Sequence, residues 1–175
     1  IAATGAEEAD AIIVVGGILP LVALLTDGSG SGKAKAAAAL ANICHSDKHA
    51  AAIMAAGALP PLIALLSEGT DNEKKRAAGA LRGLTFACCD DKISTAITAQ
   101  GAIPHLVALL SNCGDGVKEA ATGALTNLSR DLKSAAAIVA AGALPPLIAQ
   151  LSEGSNNGKM LAAGALWELN VHQID

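Results

Sequence analysis

Apolar residues recur along this chain at intervals of three and four and never settle into strict alternation, so every element they predict is a helix. The pattern also repeats. Residues 16–25 read GGILPLVALL, 57–66 read GALPPLIALL, 101–110 read GAIPHLVALL and 142–151 read GALPPLIAQL. The leading glycines stand 41, 44 and 41 residues apart. Four residues before each comes an isoleucine (Ile12, Ile53, Ile97, Ile138). Fifteen residues after each closing leucine comes the leucine of an Ala-Leu pair, at Leu40, Leu81, Leu125 and Leu166. Three anchors held in register over four copies define a structural repeat of about 42 residues.

Each unit divides at its punctuation. A short helix ends at the glycine, a second runs from the proline through the Leu-Leu pair, and a longer third carries the Ala-Leu pair. The opening helix of the first unit is expected over Glu7–Val15. Gly57 and its equivalents suit a left-handed C-terminal cap. Pro20, Pro60, Pro61, Pro104, Pro145 and Pro146 suit the first turn of the next helix, where a missing amide proton costs nothing. Ser31, Thr70 with Glu73, Asp115 and Asn156 are the expected N-terminal caps of the third helices. The three extra residues of the 44-residue unit fall in Thr85–Asp91, because the fifteen-residue interval before them is unchanged. Leu81, Leu125 and Ile97 are expected in the core.

Composition sharpens this picture. Forty of the 175 residues are alanine, which lets helix axes approach closely and suits stacked packing. A formal charge of −4, one Phe, one Trp and no Tyr leave neither a basic footprint nor a stacking platform for nucleic acid. No run reaches the roughly 18 apolar residues of a membrane span, and no basic segment followed by an apolar one opens the chain. Cys44, Cys88, Cys89 and Cys113 lack the spacing of a disulfide framework. Read as reduced, buried thiols, they place the protein inside the cell, in cytoplasm or nucleus.

The 42-residue period, the G-A-(L/I)-P-x-L-(V/I)-x-L-L second helix and the A-L-x-N-L third helix resemble the armadillo repeat. The resemblance covers essentially the whole chain. It implies an all-α fold, a right-handed α-solenoid of about four three-helix repeats forming one domain over residues 1–175. The units lie near 6–45, 46–89, 90–129 and 130–170, with a fifth beginning at 171–175. GALPPLIALL and AAGALWEL are similar to armadillo regions of plant and protist type, including those of plant U-box ubiquitin ligases, although no U-box lies in these residues. A solenoid needs polar capping repeats and neither end shows one, so the chain reads as part of a longer array.

The resemblance also implies a site. Third helices of an armadillo array line a concave groove that takes extended peptides. In importin-α-like members a tryptophan, and an asparagine four residues later, hold the peptide once per repeat. Here the tryptophan positions hold Ala38, Gly79, Gly123 and Gly164, so that ladder is absent. The asparagine positions hold Asn42, Gly83, Asn127 and Glu168. Asn42 and Asn127 either grip a peptide backbone or tie neighbouring helices together. Lys35, Lys75, Arg76 and Arg82 form either a basic centre that faces an acidic or phosphorylated segment or, with Lys74, a solvated helix face. That sign is wrong for basic import signals. The third unit adds Glu119 and Arg130. Trp167, beside Glu168 in the fourth, is either a binding anchor or a contact for a further unit.

Catalytic motifs fail on inspection. Asp27–Lys33 has an aspartate where a phosphate loop needs its first glycine, Ala34 where it needs Ser or Thr, and a helix before it. Cys44, His45 and His49 straddle a helix boundary and lack a fourth metal ligand. His105 and His172 stand alone. The expectation is a non-catalytic protein–protein interaction scaffold with no cofactor, metal, nucleic-acid, small-molecule or membrane-span partner. Its groove would hold an extended acidic or phosphorylated segment of another protein. Two alternatives stand beside it: a structural subunit docked in a large assembly, and the substrate-recruiting armadillo region of a ubiquitin ligase.

Overall fold

The structure is a computed structural model that describes residues 5–87 and 91–171. Among these residues all regular structure is helical, in four successive groups of three. The first group is α1 (Gly5–Val14), α2 (Ile18–Asp27) and α3 (Gly30–Ile43). The second is α4 (Asp47–Ala55), α5 (Leu59–Glu68) and α6 (Asp71–Ala87). The third is α7 (Asp91–Ala99), α8 (Ala102–Asn112) and α9 (Asp115–Leu128). The fourth is α10 (Leu132–Ala140), α11 (Leu144–Glu153) and α12 (Asn156–Val171). Residue 171, where a fifth unit was expected to begin, is still in α12, and residues 172–175 with His172 lie outside the described residues.

The glycine and isoleucine anchors make one device. Gly16, Gly57, Gly101 and Gly142 have φ of 78°, 78°, 77° and 80°, and no other described residue has a positive φ. Ahead of α5, Gly57 N–H donates to the Met54 carbonyl at 3.0 Å and Ala58 N–H to that of Ile53 at 3.4 Å. This paired cap closes α4, and Gly142 and Ala143 repeat it on Val139 and Ile138. The first and second helices of the four units meet at 81°, 79°, 75° and 81°. Ile53, Ile97 and Ile138 each accept or sit at this cap and are fully buried beneath the corner.

The third helices stack side by side, α3 on α6, α6 on α9 and α9 on α12, while second helices pack beneath their own third helix and beside the next second helix. Fully buried alanines at the contacts, Ala37 on α3, Ala77 and Ala78 on α6, and Ala121 and Ala124 on α9, keep the axes close. Leu81, Leu125 and Ile97 are 0–1% exposed, as the pattern requires.

Three of the four expected caps shift. Ser29, not Ser31, accepts from Gly32 N–H; Ser155, not Asn156, accepts from Gly158 N–H; and α9 starts after Gly114 with Asp115 already inside. A cap must be the last non-helical residue, and Ser31 lies inside the first turn of α3. Thr70 and Glu73 do form the reciprocal box: the Glu73 carboxylate accepts from Thr70 N–H and Oγ1, and Glu73 N–H points at Thr70 Oγ1. Helix α1 begins two residues earlier and ends one earlier than expected. Helix α6 runs into the expected insertion and ends at Ala87 with 17 residues, against 14 in α3 and α9 and 16 in α12. The insertion's expected remainder, with Cys88 and Cys89, lies outside the described residues.

Candidate functional site

Residues 73–76 read EKKR, and α6 presents Lys75, Gly79 and Arg82 at i, i+4 and i+7, one stripe on one face. Opposite lie Ala38, Ala41 and Asn42 of α3, with Ala120 of α9 at the far edge. Together with Arg76 these residues line a hollow of about 230 Å³ on the third-helix layer. Small side chains form its floor, and a Cβ at Gly79 would meet nothing within 4 Å. Of the eight residues the sequence pointed to, Asn42, Lys75, Arg76 and Arg82 come together here. Lys35 occupies the register of Arg76 one unit earlier, is exposed, and does not line this hollow.

Two glycines seat the cations. A Cβ at Gly123 would lie 2.8 Å from Arg82 Cδ, and one at Gly116 would lie 3.0 Å from Lys75 Nζ. Both long side chains therefore lie across glycines of α9. The sequence carried this signal, since Gly123 stands at a position where a tryptophan would exclude Arg82.

Among the described residues neither Arg76 nor Arg82 has a carboxylate within ion-pair distance. Lys75 does act on Glu119. That carboxyl is held below its ordinary value first by the Ser155 hydroxyl, then by the Asn157 amide, and more weakly by Lys75. Glu119 thus ties α9 to the start of α12, with Asn157 Nδ2 donating at 2.7 Å. Two other hollows lie at equivalent unit edges, one with Lys33, Glu68 and Glu73, the other with Lys118, Asp115, Glu119 and Glu153. Acidic groups outnumber basic ones in both, so of these three hollows the α3–α6 one suits an anion.

The asparagine register reaches backwards. Asn127 Nδ2 donates to the Arg82 carbonyl at 3.1 Å, and Glu168 pairs with Arg130 Nε at 3.5 Å. The first ties α9 to the preceding third helix, and the second ties α12 to the turn between α9 and α10. Asn42 has no hydrogen bond among the described residues, is exposed, and borders both the basic hollow and a larger apolar one beside Ala9, Ile12 and Leu21. Trp167 is 64% exposed on α12.

The histidine cluster serves structure. Buried His49 accepts at Nδ1 from His45 N–H, and its Nε2 bonds Asp10 Oδ1 at 3.1 Å. Asp10 also takes Lys48 Nζ at 3.0 Å, so the trio fastens α1 to α4. Burial, helped by Asp47, pushes the Cys44 thiol up to about 11, so it stays protonated at neutral pH. A contact 39 residues apart with no fixed spacing gave the sequence no signal.

Stacked three-helix units with this corner and this groove define an armadillo solenoid. The family model for the armadillo/β-catenin-like repeat matches residues 6–45, 90–130 and 133–169, and the chain belongs to that family. A designed armadillo repeat protein is similar at 28% identity and a TM-score of 0.87, covering 93% of this chain and 68% of its own. An engineered protein solved by a structural genomics consortium gives 32% and 0.89, over 95% of this chain and 67% of its own. A designed armadillo repeat protein in complex with the peptide (KR)4 gives 26% and 0.87, over 96% and 75%. No curated protein matches. The fold typically serves as a non-catalytic scaffold that binds proteins or peptides. Among the described residues no single helix is long and apolar enough to cross a membrane.

Proposed function

We propose that this chain is a non-catalytic scaffold whose concave third-helix face binds an extended acidic or phosphorylated segment of a partner protein. The hollow between α3 and α6 carries the reading: Lys75, Arg76 and Arg82 converge there, and the two arginines have no carboxylate partner among the described residues. Guanidinium forks pair carboxylates and phosphates in two-point geometry. The open amide of Asn42 at the rim can bond both the N–H and the C=O of an extended backbone. The designed relative binds a (KR)4 peptide; three cations at this centre would repel such a ligand, so the sign of the partner is reversed.

Fluorescence anisotropy with glutamate-rich, phosphoserine-containing and lysine-rich peptides at two salt concentrations tests this. Anionic peptides should bind and weaken as salt screens the charges. A preference for the lysine-rich peptide would contradict the assignment.

Exposed Val14, Val15 and Leu19 on the first unit favour a second reading, a subunit docked in a larger assembly. Under that reading the purified chain would self-associate or capture a folded partner without engaging peptides of either sign.

A further inference from the structure

Two helices space the cations of the basic hollow. Lys75 and Arg82 stand seven residues apart on α6, and the glycines they lie across, Gly116 and Gly123, stand seven apart on α9. Seven residues at 1.5 Å each make about 10.5 Å and close to two whole turns, so each helix keeps its pair on one face. Lys75 Nζ lies 3.0 Å from a Cβ placed on Gly116, and Arg82 Nη1 lies 3.5 Å from one placed on Gly123. The ammonium and the guanidinium are therefore held about 10 Å apart along the seam between α6 and α9. The lining between them, Gly79 on α6 and Ala120 on α9, holds nothing larger than a methyl group. Arg76 adds its charge beside Lys75, where Glu119 stands in the field of Lys75 with its carboxylate bonded to Ser155 and Asn157. Each end thus offers one net positive charge: Lys75 and Arg76 against Glu119 at one, Arg82 at the other.

We propose that the hollow selects a partner segment with two anionic side chains three residues apart, laid along the α6–α9 seam. The inference rests on the anionic reading above and names the class of segment. A single carboxylate or phosphate is too short to meet both ends, so the ligand must supply two. In polyproline II three residues make one turn at about 3.1 Å each, which sets residues i and i+3 on one face about 9.3 Å apart. That matches the spacing of the cations. A β-strand rises about 3.3 Å per residue and sets its same-face residues about 6.6 Å or about 13 Å apart, which falls short of the far cation or overshoots it. A helix about 10–12 Å across is too wide for a hollow of about 230 Å³.

Three labelled peptides of identical composition test the spacing, each with two phosphoserines, set two, three or four positions apart, and no other charge. A glutamate-rich peptide is titrated beside them, all by anisotropy at low salt. The three-residue isomer should bind about three- to fivefold tighter than the other two, the worth of one further exposed charge pair. Arg82→Gln should weaken all three and erase the difference between them. Gly123→Ala separates geometry from charge. Its Cβ would stand 2.8 Å from Arg82 Cδ and displace that side chain, while the net charge is unchanged and an alanine suits the helix. With unaltered circular dichroism, this variant should lose the three-residue preference and still bind the glutamate-rich peptide. Isomers of equal affinity, or isomers that fail where the glutamate-rich peptide binds, overturn the spacing while the anionic site stands. A preference that survives Gly123→Ala or Arg82→Gln overturns it too, since the far cation would then not be Arg82 on its glycine. Failure of every anionic peptide overturns both readings.

Discussion

The leucine of the Ala-Leu pair holds one repeat position and two environments. Leu40, Leu81 and Leu125 are 1%, 0% and 1% exposed, whereas Leu166 is only half-buried. Helix α9 is flanked by α6 and α12, while α12 packs on α9 and α11. Leu125→Ala removes three carbons from a site closed on both sides, a transfer loss near 2.4 kcal/mol at about 0.8 per methylene. The residual cavity adds to this, for a total of about 3–4 kcal/mol. Leu166→Ala loses less buried area and leaves no enclosed void, so its cost is about 1–1.5 kcal/mol. Urea titrations followed by circular dichroism measure both, comparing midpoints at matched slopes. Equal losses, or a loss under about 1 kcal/mol for Leu125→Ala, would mean that the third helix is oriented wrongly in the stack.

Gly57→Ala isolates the corner: a Cβ there meets nothing within 4 Å, so its cost of about 1–2 kcal/mol is purely that of the left-handed backbone. A thermal melt unchanged by this substitution would contradict the paired cap. Stability should also depend on pH on the acid side. Glu73, held by Thr70, and Glu119, held by Ser155 and Asn157, both have carboxyls below their ordinary 4.5 in the folded chain. The unfolded chain then binds more protons in that window, so stability is fully present above pH 4.5, falls as pH drops through the folded values, and Glu119→Gln flattens the fall. Urea midpoints across the acid range check this, and a variant with an unchanged profile would remove Glu119 from the account.

The fold was legible because its anchors are local. A left-handed glycine and the isoleucine four residues earlier form a cap within six residues, and repetition turned that cap into an architecture. Cap positions were legible only in column. Aligned on the glycines, Ser29, Thr70, Gly114 and Ser155 share one position, which a unit-by-unit search for polar residues misses by one or two. In the site, helical spacing put Lys75, Gly79 and Arg82 on one face. Whether Arg76 and Arg82 met a carboxylate depended on tertiary contacts, as did the hydrogen bond from Asn127 back to the preceding third helix. The Asp10–His49 fastening joins two units at a separation no repeat dictates.

The groove's sign is the central claim, and exchanging that sign tests it most directly. Lys75→Glu with Arg82→Glu reverses two of the three converging charges on exposed side chains, where the effect on folding is small. Measured by anisotropy at low salt, the wild-type chain should bind a glutamate-rich peptide and ignore (KR)4. The doubly reversed chain, with an unchanged melting curve, should lose the first and gain the second. A reversed chain that still binds the acidic peptide as tightly as the wild type would contradict the assignment of the groove.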